Sequence, residues 1–453
     1  MNPIRRVARP AAARMSVPAT AVFFFKKGSS RMRFKTFYSG GWGRSTGFRQ
    51  KGSGKVRAER LVYADHSATT RVHPRVLERM MPYLREQYGN ASSLYGIGRR
   101  SREAVEEARR QVASCLGAQP GEIFFTGCGT ESDNWAIKGV AEQYAGRGRH
   151  IVTTAVEHHA VLHACEHLER QGYAVTYLGV DREGSVDPAA LERALRSDTI
   201  LVSVMMANNE VGTIEPIVRI RDILRPRGIP FHVDAVQAAG NLPIDVEELG
   251  ADLLSLSAHK FYGPKGVGCL YARKGAGLPS FLDGGAQERG MRAGTENVAG
   301  IVGMGEALRI ACEELPVYTK RVTALRERLI ERVLGEIPDT TLNGARQNRL
   351  PGHANFSFAG VDGEELLLCL DLAGIAASTG SACTTGQTAP SHVLMAMGRS
   401  PEEAYSSLRL TLGRENTRED VDYIVKQLKI HVERLRRMPP GYERKLARMG
   451  YRR

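Results

Sequence analysis

The strongest constraint on the fold of this chain is an alternation that begins near residue 60. Short apolar runs recur, namely "EIFFT", "HIVTTAV", "AVTYL", "TILVSVMM", "IPFHVDA", "LLSLSA" and "VGCLYA", and helical stretches separate several of them. A strand covered on both faces reads as a near-continuous apolar run. The alternation therefore predicts βα units and a largely parallel sheet covered by helices. In "GRRSREAVEEARRQVASCLGA" the apolar residues fall at helical spacing, and the helix should stop at Gly117. After about residue 315 the helical "YTKRVTALRERLIERVLGEI" leads into a smaller region of mixed pattern, and no internal repeat is visible. The expected organisation is α/β: a large domain over residues 75–315, then a smaller α+β domain over 316–440 and a tail over 441–453.

The formal charge of +14 would suit a nucleic-acid binder, but its location argues otherwise. Residues 1–60 hold 15 Lys and Arg and one acidic residue, Glu59, so the rest of the chain carries 48 of each sign. A neutral body lacks the basic face that phosphate binding needs. Residues 1–58 are basic, Gly/Ser-rich and aperiodic, and read as a disordered extension or a start placed too far upstream. Being Arg-rich and acid-poor, they also have the character of an organellar transit peptide. No run reaches the length of a membrane helix. The expected compartment is the cytoplasm, or an organelle if the extension is a transit peptide. The seven cysteines are odd in number and none is spaced CxxC, which suits free thiols without a structural zinc.

In open α/β sheets ligands bind beyond the carboxyl ends of the strands, so the polar residues there carry the functional signal. After "EIFFT" the turn "GCGTESDNWAI" places Gly129 and Thr130 at the start of a helix, where backbone N–H groups and the helix dipole suit a phosphate. Alone, this reads more readily as a tight turn with its cap. Asp234 follows "IPFHV", with Gln237 close behind, and Ser257, His259 and Lys260 follow "LLSL". An acid at one strand end and a lysine near the next suggest pyridoxal 5'-phosphate. Lys260 would form a Schiff base with its aldehyde, and Asp234 would keep the pyridine nitrogen protonated. Singly, each reads as a cap or a surface lysine; together with the phosphate turn they favour the cofactor. His158 and His159 follow another run, and Asn208 and Asn209 a further one. Near the end, "AASTGSACTTGQTAPSHV" puts Cys383 in a stretch too small and polar to pack as core, which is the setting of a reactive thiol rather than an inert one.

These stretches resemble the cysteine desulfurases, class V members of the fold type I pyridoxal phosphate enzymes. The resemblance runs from "YADHSATT" at about residue 63 to about residue 437. It is carried by "DHSATT", "TESDN", "EHHAV", "NNEVG", "HVDAVQ", "SAHKFYGPKG", "ERGMRAGTENV", "STGSACTT" and "SSLRLTLGR" in that order. It implies a mostly parallel seven-stranded sheet and an N-terminal segment, 59–74, packed with the small domain. It implies Lys260 as the cofactor's covalent anchor and α-proton acceptor, Asp234 on the ring nitrogen, His158 stacked on the ring, and Asn209 and Gln237 near the phenolic oxygen. Gly129, Thr130, Ser257 and His259 would hold the phosphate, and Thr295 would reach the phosphate of a neighbouring subunit in a homodimer. Arg409 and Asn209 would bind the carboxylate end of L-cysteine. Cys383 would take the sulfur as a persulfide while alanine leaves, and through that persulfide it would be a transient iron–sulfur ligand. The acceptor would be a protein such as an iron–sulfur scaffold or a tRNA-thiolation enzyme. The chain departs from the family pattern in "GNASSLYG", with Ala91 and Tyr95, and in Cys128, which reads as packing. The rival readings are a selenocysteine lyase and another class V aminotransferase; a plain transaminase has no use for Cys383.

Overall fold

The computed structural model describes residues 60–380, 389–438, 440, 441 and 443. The basic segment 1–58, Cys383 and most of the expected tail lie outside the described residues. All seven apolar runs become strands of one sheet. They are β2 (Ile123–Thr126), β3 (His150–Thr154), β4 (Ala174–Leu178), β5 (Thr199–Met205), β6 (Phe231–Asp234), β7 (Leu253–Ser257) and β8 (Gly268–Ala272), after a short β1 (Val62–Tyr63). The order across the sheet is β2-β8-β7-β6-β5-β3-β4. The β3–β4, β3–β5, β5–β6 and β6–β7 pairs are parallel, and only β8 runs against its neighbours. Side chains alternate between two apolar layers: Val152, Leu254 and Tyr271 face one, while Ile151, Leu253 and Leu270 face the other. That double burial is why these strands read as unbroken apolar runs.

A second, antiparallel sheet has the order β12-β10-β9, built from β9 (Thr340–Asn343), β10 (His353–Phe358) and β12 (Ser407–Thr411). The strand β11 (Ile375–Ala376) pairs in parallel with β1, which ties the start of the described chain to this later region. One helix, Val298–Glu336, serves both cores. Its Ile301, Met304 and Leu308 pack with the large sheet, and its Leu325, Leu329 and Val333 pack with Phe356 and Leu410. The helical pattern from Tyr318 marks only the second half of this helix, and the expected boundary at 315/316 falls inside it at Pro316. Its first half is obscured by Gly300, Gly303, Gly305 and the proline, all poor helix formers. Gly305 is there for close approach: a Cβ on it would lie 2.9 Å from the Ala108 Cα of helix Gly96–Leu116. That helix ends as expected, on Gly117 in the left-handed conformation with φ 68°. Among the described residues no helix is long and apolar enough to cross a membrane.

The edge strand β2 is sealed by a buried ion pair. Arg109 donates to both carboxylate oxygens of Glu288 at 2.8 and 2.9 Å, and each side chain is 4% exposed. The same guanidinium donates to the Ile123 carbonyl at 2.7 Å, and Glu288 accepts the Phe125 N–H at 2.9 Å. Two backbone groups of the strand that no partner strand reaches are thus satisfied. Removing one ion strands the other, so Arg109→Leu should cost about 3–5 kcal/mol of stability. The exposed Arg110–Glu107 pair is the internal control, and Arg110→Leu should change stability by less than about 1 kcal/mol. Urea unfolding of both variants checks this, and equal losses would refute it.

Candidate active site

The ends of β2, β3, β5, β6 and β7 converge on a cavity of about 390 Å³. Of the expected residues, Gly129, Thr130, His158, Asn209, Asp234, Gln237, Ser257, His259, Lys260 and Arg409 all line it. Thr295 does not: it is exposed and outside the cavity lining. Another cavity, of about 250 Å³, is lined by Arg221, Phe231, Asp252 and Arg273. There Arg273 is matched by Asp252 at 3.4 Å and Glu247 at 3.6 Å, an ion-pair cluster rather than a set of poised groups.

Lys260 closes a short helical turn, Ala258–Lys260, that follows β7 directly. Its Nζ donates to the carbonyls of Ser67 at 2.6 Å and Ala68 at 2.9 Å. Those carbonyls belong to the "DHSATT" run, which is bonded onto the lysine turn at several points. Thr70 donates to the His259 carbonyl through both its N–H and its hydroxyl, each at 2.9 Å, and the His259 ring meets Thr69 Oγ1 at 3.1 Å. The N–H of Tyr262, in the left-handed region with φ 66°, donates to Thr70 Oγ1 at 2.8 Å.

Asp234 ends β6, and its Oδ1 accepts the Val236 N–H at 2.9 Å. Burial pushes this carboxyl up to about 6, against the pull of the Val236 N–H and of Lys260. Near it lie Asp133 and His232, 3.6 Å apart and both buried. The His232 ring bonds Ser203 at 2.9 Å and Ser255 at 3.0 Å, and burial drops it to about 3, so it is neutral. Asp133 is held well above the usual carboxylate range, by burial first and then by the charge of Asp234.

The helix Gly129–Gln143 begins at the cavity wall, and the side chain of the residue before it, Cys128, makes no bond to its first turn. Packing draws this helix start toward Asp234: a Cβ on Gly129 would lie 2.7 Å from Val236 Cγ2. His158 caps the helix His159–Glu169, accepting the Ala160 N–H on Nδ1 at 3.1 Å. Burial, then the Lys260 charge, lowers His158 to about 4, so the ring is neutral with its proton on Nε2. The two asparagines divide their work. Asn208 is buried and shapes the turn, accepting the N–H groups of Glu210 at 2.8 Å and Val211 at 2.9 Å, whereas Asn209 faces the cavity. Gln237 donates to the Ser67 carbonyl at 3.1 Å.

Arg409 arrives from the other sheet, on β12. It donates to the Asn209 carbonyl at 3.0 Å and to Asp65 at 2.9 Å, and its buried Nε has no hydrogen-bond partner among the described residues. Sequence reading assigned no role to Ser67, Ala68, Asp133, Glu210, His392 or Gly380, all of which line the cavity. Ser67 and Ala68 act through backbone carbonyls, which leave no trace in residue type. Glu210 stood in the quoted "NNEVG" and was a legible signal, since an acid beside a buried turn needs a partner. His159 lies against His392, with ring centres 4.6 Å apart, and against His163 at 5.1 Å. Even so, no group of three or more His, Cys, Asp or Glu placed to hold a metal occurs among the described residues.

The donor set fits pyridoxal 5'-phosphate: a lysine amine, a buried carboxylate that needs a cationic partner, a flat neutral imidazole, and a helix N-terminus open to an anion. Comparison with known proteins agrees. The family model described as aminotransferase class-V matches residues 62–424. A protein of Dictyoglomus turgidum named cysteine desulfurase IscS is 53% identical over 382 residues, covering 84% of this chain and 97% of that relative. One of the same name from Methanosarcina thermophila is 53% identical over 381 residues, covering 84% and 94%. Among solved structures, a NifS-like protein aligns with TM-score 0.78 at 42% identity, over 83% of this chain and all of the other. A structure described as SspA in complex with cysteine aligns with TM-score 0.70 at 35% identity, over 79% of this chain and all of the other. With the family model spanning residues 62–424 and about half the residues shared with the two proteins named cysteine desulfurase, the chain belongs to the class-V aminotransferase family, in its cysteine desulfurase branch.

Proposed function

We propose that this cysteine desulfurase moves the sulfur of L-cysteine onto Cys383, releasing L-alanine, and then passes it to an acceptor protein. The observation that carries the reading is the meeting of the Lys260 amine and the buried Asp234 carboxylate in one cavity with the open helix start at Gly129. When bound, pyridoxal 5'-phosphate supplies an electrophilic aldehyde and a ring that accepts negative charge from the substrate's α-carbon.

The rest falls to the chain. Lys260 would anchor the cofactor through its Nζ, which the Ser67 and Ala68 carbonyls hold at the cavity wall, and the same amine would accept the substrate's α-proton. Asp234 keeps a proton on the ring nitrogen, and the low dielectric around it strengthens that pairing. His158, neutral, offers a flat face and an Nε2 proton. Gly129, Thr130, Ser257 and His259 receive the phosphate. Arg409, with Asn209 beside it, receives the substrate carboxylate, for which Asp65 stands in as the carboxylate now bonded to the guanidinium. The Cys383 thiol then takes the sulfur: its bond to the substrate Sγ forms as the Cβ–Sγ bond breaks, leaving a persulfide and alanine. The exposed Thr295 serves the phosphate of a second copy, so the working unit is a homodimer. The acceptor is an iron–sulfur scaffold or a tRNA-thiolation enzyme. The region from Pro316 onward, with its own sheet and core, is the small domain that carries Cys383.

Lys260→Ala should abolish the visible absorption band of the bound cofactor together with alanine release from L-cysteine. Normal turnover in that variant would remove Lys260 from its assigned role. Cys383→Ser should keep the absorption band and its change on adding L-cysteine, yet form no persulfide. In the wild type, mass spectrometry should place one added sulfur on the peptide that holds Cys383. Sulfur found mainly on Cys128, which also lines the cavity, would shift the acceptor role there.

A further inference from the structure

Glu210 is buried in the cavity wall and has no part in the chemistry assigned so far. Its backbone is pinned on two sides: its N–H donates to Asn208 Oδ1 at 2.8 Å, and its carbonyl accepts Asn355 Nδ2, from β10, at 3.1 Å. Its carboxylate faces two residues that are far apart in role but flank the same stretch. Ser391 donates its hydroxyl to Glu210 Oε2 at 2.5 Å, and it is also the cap of the helix His392–Ala396, accepting the Leu394 N–H at 3.2 Å. Gly380 sits against the same oxygen so closely that a Cβ on it would lie 2.5 Å from Oε2. Gly380 precedes Cys383 by three residues, and Ser391 follows it by eight.

The two flanks are held elsewhere too. Ser378 and Arg409 exchange backbone hydrogen bonds, and His392 Nε2 donates to the Glu157 carbonyl at 3.0 Å. Glu210 touches both flanks, and the flanks also lie against each other: a Cβ on Gly380 would lie 3.4 Å from Ser391 Cβ. Glu210 makes its contacts from a turn rooted at the end of β5, beside the proposed substrate-binding Arg409.

We propose that Glu210 is a positioning residue for sulfur transfer, its carboxylate bonding Ser391 where that residue packs against Gly380 at the cavity wall and so fixing the described residues on either side of the stretch that holds Cys383. The proposal rests on the reading of Cys383 as sulfur acceptor. One carboxylate oxygen bonds Ser391 and packs against Gly380, so the placement of Ser391 on Gly380 depends on the length and acceptor capacity of this side chain. Glutamine conserves both, aspartate loses length, and alanine loses both.

The test uses the full-length holoenzyme mixed rapidly with L-cysteine. Two readouts are taken: the change in the cofactor absorption band, which needs no thiol, and persulfide on Cys383 by mass spectrometry. Glu210→Ala and Glu210→Asp should slow persulfide formation about tenfold to a hundredfold, while the band change and the KM for L-cysteine stay within about threefold. Glu210→Gln should restore the rate to within about threefold of wild type, because its amide oxygen still accepts from Ser391. Gly380→Ala should be slow in the wild-type background and add nothing in the Glu210→Ala background, where the clash is gone. If Glu210→Ala does not fold, the Glu210→Gln, Ser391→Ala and Gly380→Ala variants carry the test, the last two slowing the persulfide step alone. Wild-type persulfide rates in Glu210→Ala, with none in Cys383→Ser, overturn the proposal and leave the Cys383 reading intact. Parallel loss of the band change also overturns it, since Glu210 would then serve the cofactor or substrate. Persulfide formed at the wild-type rate in Cys383→Ser overturns the underlying reading instead.

Discussion

A carboxylate taken out of water at the end of β6 sets the terms for everything around it. Burying an ion unpaired costs several kcal/mol, and Asp234 is buried with its carboxylate accepting the Val236 N–H. A cation has to be near, and the cavity provides for two: the Lys260 amine, and the ring nitrogen of the cofactor that the donor set fits. The neutral groups behind Asp234 follow from the same constraint. His232 cannot be charged where it is, and Asp133 is driven toward its protonated form, so the layer beneath the cavity adds little charge of its own. Of that pair of carboxyls, the negative charge is thereby left on Asp234 rather than on Asp133.

The N-terminal run Asp65–Thr70 does more than cover this floor. It lends carbonyls to Lys260 and Gln237, a hydroxyl to Tyr262, and a carboxylate to Arg409. A Pro- and Gly-containing helix, Val298–Glu336, joins the core of the large sheet to that of the smaller one. Because the same helix is packed into both, Arg409 on β12 has a defined place beside Asn209, which follows β5 of the large sheet. The reach of a guanidinium across a site is useful only when the two sheets do not drift, and shared packing is what restrains them.

Much of this was legible in the residues. Seven apolar runs announced seven strands, because strands buried on both faces have no polar period to hide in. Gly117 announced a helix end because only a residue without a Cβ takes the left-handed cap easily. Lys260, Asp234 and the Gly129 turn pointed to the cofactor because each lies just after a strand, where side chains leave the sheet and enter a crevice. The first half of the long helix was not legible, since glycines chosen for close approach to Met80 and Ala108 look like helix breakers when their neighbours are unknown.

What the sequence alone determined is the chemistry: which residue types are present, in what order, and after which strands. A lysine, a carboxylate and a thiol carry their reactivity wherever they sit. The tertiary structure decided their company. Which of Asn208 and Asn209 faces the cavity depends on how one turn closes, and the carbonyls of Ser67 and Ala68 meet Lys260 across nearly 200 residues of chain. Hydrogen bonds of backbone atoms depend on position and not on side-chain identity, so no residue letter records them. The bond from Ser391 to Glu210 joins two ordinary side chains, significant only because folding brings Glu210 within 2.5 Å of a residue that follows Cys383 by eight.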